Sequence, residues 1–211
     1  SQEGAAGLTV DRYGPQLMVQ SFHQTLAADA LLRIHELAMD SLELPLQLVY
    51  NDRSQGNSRI DRSHAAYQPD AAALADQVGH EWGLAYRVRG RHDGQDPLLF
   101  LDLRNARGWV KQHSAGKSVL NLFSYTCGVG LCAAAGGARD VWNLDFAERN
   151  LAVGRENAAL NPALAPMRFV RSYYFPAIRQ LAGLSVASRR GRALPDYPRL
   201  EQRQFDLVLL D

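Results

Sequence analysis

Two apolar runs in the middle of the chain each end in residues that could contact a ligand. The first, 118–128 (SVLNLFSYTCG), closes in small and turn-forming residues, and the second, 141–145 (VWNLD), closes in the carboxylate of Asp145. A loop of small residues lets a ligand approach the backbone, and a carboxylate can accept hydrogen bonds from ribose hydroxyls. Asp145 follows the loop by about 20 residues, which is the spacing of one β-α-β step. These residues predict a binding site for a nucleotide-type cofactor.

Each position that could carry this chemistry also has a purely structural alternative. The loop residues Ser124, Thr126 and Gly128 place backbone amides near a helix N-terminus, where a carboxylate or phosphate binds well, but a ligand-free turn has the same composition. Asp145 suits a ribose at the carboxyl end of a strand, and it equally suits the N-cap of the following helix. Asp211 ends the last apolar run beside the same crevice, or it is simply a turn residue.

The two cysteines do not indicate a metal or a nucleophile. Cys127 and Cys132 lack a Cys or His partner at zinc-ligand spacing, so no metal site is expected. A thiolate at Cys127 would gain from a helix N-terminus, but the sequence shows no general base to accompany it. Two cysteines in one segment also argue against a disulfide framework, and a reducing cytoplasm is the expected location.

From residue 117 onwards, strands and helices alternate. The predicted strands are 119–123, 141–145, 167–171 and 205–210, and the predicted helices are a segment ending near 135, 147–160 and 177–181. Strands that alternate with helices form a parallel sheet covered on both faces. The sequence therefore predicts an α/β fold with a Rossmann-like, doubly wound parallel sheet, and we expect this sheet to be truncated after its fourth strand.

The residues before this alternation predict a small α+β domain in front of the sheet. Residues 1–50 are expected to form this domain, with a hairpin over 8–22, a helix over 27–42 and a strand over 46–50. Residues 51–113 are a predicted connecting segment, with a helix over 71–78, strands over 84–88 and 98–101 and a helix over 104–112. Residues 114–211 are then the cofactor-binding domain, incomplete at its C-terminus.

The composition is that of an ordinary soluble globular protein. Hydrophobic residues make up 46% and charged residues 21%, and the formal net charge is +1. No apolar run approaches the roughly 20 residues that a membrane-spanning helix needs. Arginines cluster at 53–62, 87–91 and 189–192, which is weak support for phosphate contacts because solvated loops have the same pattern.

Several segments together resemble class I S-adenosylmethionine-dependent methyltransferases. They are 119–128 (VLNLFSYTCG), 135–138 (AGGA), 143–145 (NLD), 155–157 (REN), 160–161 (LN), 99–107 (LFLDLRNAR), 8–14 (LTVDRYG) and 205–211 (FDLVLLD). The stretch 99–107 is similar to the FLDxRxxR signature of the bacterial 23S rRNA large-subunit methyltransferase group. The resemblance covers most of the chain, and it implies methyl transfer from S-adenosylmethionine to a base of ribosomal RNA.

The resemblance also implies which residues form the site. The loop would hold the methionine part of the cofactor, Asp145 would bind its ribose, and Asp211 would open the motif beside the methyl group. Asp102 and Arg104 would close the site from below. The residues expected to bind the cofactor are Asn121, Phe123, Ser124, Tyr125, Thr126, Gly128, Asp145, Phe146, Ser172, Tyr173, Asp102 and Arg104, with Asp211 as the catalytic residue.

The chain departs from the family pattern in three respects. Cys127 stands where relatives often have glycine, and 171–175 (RSYYF) lacks the acid that often binds the adenine amino group. Ser172, Tyr173 or Tyr174 would then replace that contact by stacking or through the backbone. The Pro-Pro step expected after Asp211, the later strands and the cysteines of cytosine-C5 enzymes do not occur in this sequence.

Two other functions stay open at this point. An NAD-dependent dehydrogenase would use Asp145 in the same way, although no full G-x-G-x-x-G follows the first strand. A non-catalytic RNA-binding protein on a methyltransferase scaffold would account for the departures. The expected partners are RNA and a second copy of the chain bound through an exposed sheet edge, and no membrane contact is expected.

Overall fold

The computed structural model describes residues 6–55, 75–91, 96–186 and 196–210. It separates the chain into two units. The first comprises residues 1–80 and 87–100, and the second comprises residues 81–86 and 101–211. The segment 51–113, which the sequence suggests as a connector, is therefore distributed over both units.

The first unit is built on a three-stranded sheet covered by one helix. Its elements are β1 (Leu8–Tyr13), β2 (Gln16–Ser21), α1 (Ala28–Leu42) and β3 (Gln47–Asp52). β2 pairs with β1 in antiparallel and with β3 in parallel orientation. Leu17, Val19 and Leu48 of the sheet pack with Leu31 of α1 in one buried cluster. The predicted hairpin, helix and strand are all present.

A two-stranded hairpin follows, made of β4 (Gln77–Glu81) and β5 (Leu84–Val88). Its turn residues Trp82 and Gly83 both have positive φ, 53° and 78°, as the tight turn between twisted strands requires. The helix predicted over 71–78 is wrong where the chain is described, because Gln77 and Val78 belong to β4. Pairing with β5 outweighs the local helix propensity there.

The strand predicted over 98–101 is also wrong. The Asp96 carboxylate accepts a hydrogen bond from the Leu98 amide at 2.9 Å, and Leu98 has a φ of 72°. A side chain that bonds the backbone two residues ahead makes a turn, and left-handed backbone cannot continue a strand. This segment therefore bends instead of pairing.

The second unit contains a four-stranded sheet in the order β8-β7-β6-β9. Its strands are β6 (Ser118–Leu122), β7 (Asp140–Asp145), β8 (Arg168–Arg171) and β9 (Leu207–Leu210), and its helices are α2 (Arg104–His113), α3 (Gly128–Ala135), α4 (Glu148–Ala159) and α5 (Tyr174–Leu181). All three strand pairings are parallel. The predicted mixed α/β fold with a parallel sheet is confirmed, and α5 begins three residues earlier than predicted.

Side chains of the central strands alternate between two helical layers. Val119 and Val141 pack in the layer of α2 and α3, whereas Leu120 and Leu144 pack in the layer of α5. In this doubly wound arrangement β7 pairs with β6 on one side, and β9 pairs with β6 on its other side. Ligands of such sheets bind at the carboxyl ends of the strands where the order reverses. The relevant edge is therefore the one that follows Leu122 and Asp145.

Candidate active site

The loop between β6 and α3 has an unusual backbone. Phe123, Tyr125 and Cys127 have positive φ values of 53°, 48° and 63°, although none of them is glycine. Each left-handed residue of this kind costs about 1–2 kcal/mol, so the surrounding contacts must hold the loop. The left-handed backbone of Cys127 is a conformation that glycine adopts without strain and that other residues rarely adopt. The Ser124 amide donates to Leu144 O at 3.0 Å, and the Cys127 amide donates to Ser124 O at 2.7 Å.

Helix α4 supports the loop from one side. The Asn157 side-chain amide donates to Thr126 O at 3.0 Å, and both residues are buried. A Cβ on Gly154 would lie 2.4 Å from Cys127 Sγ, so glycine lets the helix approach the loop. Burial raises the pKa of Cys127 to about 12. Its thiol is therefore protonated at neutral pH and serves as a packing group.

The Asp145 carboxylate connects this loop to the beginning of α4. Oδ2 accepts a hydrogen bond from the Tyr125 amide at 2.9 Å, and Oδ1 accepts one from the Ala147 amide at 2.8 Å. The Asn150 side chain lies 3.5 Å from Oδ1. Burial is the largest influence on the pKa of Asp145 and raises it, while the bonds to Ala147 and Asn150 oppose that rise. Ala147 is the N-cap of α4, so the N-cap alternative for Asp145 is wrong.

The first turn of α3 points its amides at the same loop. The first bond of the helix runs from the Leu131 amide to Cys127 O at 2.9 Å. The amides of Gly128, Val129 and Gly130 precede that bond, and amides in this position are available to an anion. The loop and α3 thus present donors, while Asp145 presents an acceptor at the end of the neighbouring strand β7.

Asn121 forms a buried amide pair with Asn143 against the beginning of α3. Its side-chain amide donates to Asn143 Oδ1 at 2.9 Å, and both residues are buried. A Cβ on Gly130 would lie 1.9 Å from the same oxygen of Asn143. Only glycine at position 130 lets α3 pack against this amide pair.

Aromatic rings surround the carboxyl ends of three strands. Phe123 stacks on Tyr174 with ring centroids 5.3 Å apart, and Phe146 stacks on Tyr173 at 6.0 Å. Ser172 is buried between these segments, with its amide donating to Asp145 O at 3.0 Å. The predicted residues Phe123, Phe146, Ser172 and Tyr173 therefore lie on the same edge of the sheet as Asp145.

The two predicted residues before the sheet contact other groups. The Asp102 carboxylate accepts a bond from the adjacent Leu103 amide at 3.0 Å, and Arg104 Nε lies 3.5 Å from Glu81 Oε2. Both side chains are exposed at the N-terminus of α2, which runs antiparallel to β6 and so begins at the carboxyl edge. The predicted catalytic residue, Asp211, lies outside the described residues.

Sequence reasoning missed the role of several supporting residues. Arg107, the last arginine of the 99–107 stretch, forms a buried ion pair with Glu81, at 2.6 Å from Nε to Oε1 and 3.1 Å from Nη2 to Oε2. Asn157 holds the loop through Thr126 O, and Asn143 lies against Gly130 of α3. An asparagine in an otherwise apolar strand was the available signal for Asn143, because a buried amide needs a partner.

The described residues contain no group of three or more His, Cys, Asp or Glu side chains that could hold a metal ion. Among the same residues, no helix has the length and apolar character needed to cross a membrane. A cavity of about 590 Å³ lies at the far end of α5, lined by residues of 180–186 and 197–201. It is separate from the carboxyl edge, where α5 begins.

Comparison with known proteins identifies the family. Residues 52–187, more than half of the chain, match the family described as S-adenosylmethionine-dependent methyltransferase. The chain belongs to this methyltransferase family. S-Adenosylmethionine is therefore its cofactor. The loop and Asp145 lie at the edge where open α/β sheets bind their ligands.

Relatives of this methyltransferase carry ribosomal RNA names. The chain is 27% identical over 207 residues to ribosomal RNA large subunit methyltransferase K/L of Hahella chejuensis, covering 97% of this chain and 26% of that protein. It is 30% identical over 191 residues to large subunit methyltransferase I of Aeromonas hydrophila, covering 84% and 45%. The chain thus spans about a quarter to a half of the length of these relatives.

Solved structures have the same fold. SMU.776, a protein described as a methyltransferase and complexed with S-adenosylhomocysteine (SAH), superposes with a TM-score of 0.64 at 26% identity, covering 82% of this chain and 43% of that one. A tRNA m1G37 methyltransferase of Methanocaldococcus jannaschii superposes with a TM-score of 0.56 at 15% identity over 79% and 49%. None of these comparisons supports the dehydrogenase alternative.

Proposed function

We propose that this methyltransferase transfers a methyl group from S-adenosylmethionine to a base of ribosomal RNA. The observation that carries the proposal is the arrangement of the 123–127 loop, the first turn of α3 and Asp145 around one edge of the sheet. The ribosomal RNA names of the K/L and I relatives support the acceptor class.

The groups at this edge match the chemistry of the cofactor. The carboxylate of its methionine part suits the amides of Gly128, Val129 and Gly130 at the positive end of α3. A carboxylate oxygen can accept two hydrogen bonds, and Asp145 Oδ2 accepts one from Tyr125, so a ribose hydroxyl can supply the second. Phe146 and Tyr173 offer apolar rings beside the buried Ser172 for the adenine. These rings take the place of the acid that the sequence lacks.

The residues of the chain act by positioning. When bound, the cofactor supplies an electrophilic methyl group on a sulfonium centre. The strained loop and the carboxylate of Asp145 are held before any ligand arrives, because Asn157 of α4 bonds the loop and the Tyr125 and Ala147 amides bond the carboxylate. Orientation of two reactants in this way can remove a large part of a barrier to bimolecular displacement. Asp211 directly follows β9 in the sequence, and we propose it as the catalytic residue.

Charge distribution fits an RNA acceptor for the second unit. This unit carries 15 Lys and Arg and 10 Asp and Glu residues, a formal charge of +5, whereas the first unit has 8 and 12, a formal charge of −4. The small net charge of the chain conceals this separation. A positive surface attracts the phosphate backbone of RNA. The predicted cytoplasmic location follows from a ribosomal RNA substrate, and association through the sheet edge stays a prediction.

The test combines calorimetry with methyl transfer. The protein should bind SAH with an affinity in the micromolar range and should transfer radiolabelled methyl groups to ribosomal RNA that lacks its modifications. Asp145→Ala should lower SAH affinity at least tenfold, since hydrogen bonds to a charged group are worth about 1.5–3 kcal/mol each. Glu201→Gln, which removes an exposed carboxylate far from the loop, should bind SAH normally.

Three results would contradict the proposal. Absence of SAH binding by a folded protein would do so, as would stabilisation by NAD in place of SAH. RNA binding without any cofactor affinity would favour the non-catalytic RNA-binding alternative.

A further inference from the structure

Exposed aromatic rings are concentrated at the carboxyl edge of the sheet. Among the described residues of the second unit, six aromatic side chains are at least 40% exposed. Four of them lie within four residues of the ends of β6, β7 or β8, and they are Phe123 (40%), Phe146 (55%), Tyr173 (48%) and Phe175 (67%). Burial in a core does not account for them, because their rings face solvent.

Three rings form one continuous surface, which we call the aromatic platform: Phe123, Tyr174 and Phe175. Phe123 and Tyr174 are nearly parallel, with an angle of 19° between rings whose centroids lie 5.3 Å apart. Phe175 meets Tyr174 edge-on at 5.1 Å and 73°. The platform is therefore ordered by ring-to-ring contacts before a ligand binds, and Phe175 is its most exposed member.

The platform lies next to the proposed cofactor groups without being one of them. The backbone of Phe123 forms part of the strained loop, whereas its ring turns to Tyr174 at the beginning of α5. Phe146 and Tyr173 form the separate stack that we assign to the adenine. One edge thus carries two aromatic surfaces, and a single cofactor has only one aromatic base to stack.

We propose that the aromatic platform stacks on an unpaired nucleobase of the RNA substrate. This inference rests on the proposed function and specifies its substrate as a nucleotide in a single-stranded loop or one extruded from its stack. Every base offers a flat face to an aromatic ring, but a base inside a duplex has both faces covered. An enzyme that acts on a base must therefore receive it unstacked.

Charge complementarity favours RNA over a protein as the occupant. The unit has a formal charge of +5, and Arg171 is exposed three residues before Tyr174. Of the acidic side chains that the structure describes near this edge, Asp145 is buried, Glu148 is paired with Arg155 at 2.7 Å, and Asp102 is exposed at the N-terminus of α2. Exposed aromatic side chains beside cations are typical of surfaces that bind single-stranded nucleic acid.

The test measures the affinity of the protein for a short, unstructured oligoribonucleotide by fluorescence anisotropy at fixed salt. Phe175→Ala should weaken binding by about 5- to 150-fold, the range that corresponds to stacking of one base. Phe175→Leu should lose as much, because leucine is apolar but not flat, whereas Phe175→Trp should retain affinity. Trp109→Ala, which removes another exposed ring from the same unit, is the matched control and should bind as the wild type does.

Two further measurements separate this inference from the proposed function. SAH affinity, measured by calorimetry, should change less than twofold in every Phe175 variant, and an oligonucleotide containing 2-aminopurine should show quenching that Phe175→Ala abolishes. Unchanged RNA affinity in Phe175→Ala, with normal SAH binding, overturns the platform while leaving the proposed function intact. Full binding by Phe175→Leu would overturn it as well and indicate an apolar docking surface for a protein. If the wild-type protein does not bind SAH, that result contradicts the proposed function itself.

Discussion

Gly130 is the position where the support of the loop can be tested most sharply. A Cβ there would lie 1.9 Å from Asn143 Oδ1 and 2.7 Å from its Cγ, well inside normal contact distances. Asn143 is fully buried and bonded to Asn121, so it cannot move aside without breaking that bond. Gly130→Ala therefore forces α3 away from the sheet or separates the amide pair.

The cost follows from three contributions. Overpacking of a filled core costs about 1–3 kcal/mol. Loss of the buried amide bond, with one partner left unpaired, costs about 1–3 kcal/mol more. Alanine is the better helix former by about 1 kcal/mol, which offsets part of the loss. The free energy of unfolding should therefore fall by about 3 kcal/mol, measured by urea denaturation followed with circular dichroism.

A double-mutant cycle with Asn143→Ala shows whether the amide is the obstacle. Asn143→Ala alone should destabilise by about 1–3 kcal/mol, because Asn121 loses its acceptor. In that background Gly130→Ala should cost almost nothing, since the new methyl group occupies the space that the amide has left. An equal cost of Gly130→Ala in both backgrounds would refute the explanation, because the obstacle would then lie elsewhere.

Three further predictions concern ionisable and nucleophilic side chains. The pKa of Asp145 is raised above 3.8 in the folded state, so this carboxyl contributes stability that is present below pH 3.8 and is lost as the pH rises through the raised value. Asp145→Asn should reduce this loss of unfolding free energy, measured by denaturation at several pH values across that range. An identical dependence of the unfolding free energy on pH in both proteins would contradict the prediction. With the pKa of Cys127 at about 12, its thiol should react with a disulfide reagent at pH 8 only after unfolding, and fast reaction in the native protein would show that burial does not protect it. Arg107→Ala should destabilise the protein by about 3 kcal/mol, because the buried Glu81 loses both hydrogen bonds from Arg107 and keeps only the exposed Arg104 at 3.5 Å. Arg107→Met with Glu81→Leu should recover much of that loss, and denaturation of the single and double variants measures both; an unchanged stability of Arg107→Ala would contradict the prediction.

The sequence alone was enough to predict the cofactor-binding architecture. Strict alternation of strands and helices after residue 117 predicts a parallel sheet, and the spacing from the loop to Asp145 predicts one β-α-β step. Both are present as β6-α3-β7. These features are local, since strand length, apolar pattern and small-residue loops depend on residues close together in the chain. The motifs likewise identified the methyltransferase family.

Local patterns failed where a distant partner decided the outcome. Gln77 and Val78 follow an alanine-rich segment that favours helix, but pairing with β5 makes them a strand. Leu98 lies in an apolar run, but a single hydrogen bond to Asp96 turns the backbone. Propensity is a weak preference, and a partner strand or a side-chain bond of about 1 kcal/mol reverses it.

Only the tertiary structure decided what the individual site residues do. Asp145 could have capped a helix, yet its carboxylate bonds both the Tyr125 and the Ala147 amides. The side-chain amide of Asn121, a residue predicted to bind the cofactor, is bonded to Asn143 in the next strand. Phe123 and Tyr174 are separated by 51 positions in the sequence. Their rings stack because β6 ends, and α5 begins, at the carboxyl edge of the sheet. Sequence spacing sets which residues follow a strand, but the order in which strands pair sets which of those residues meet.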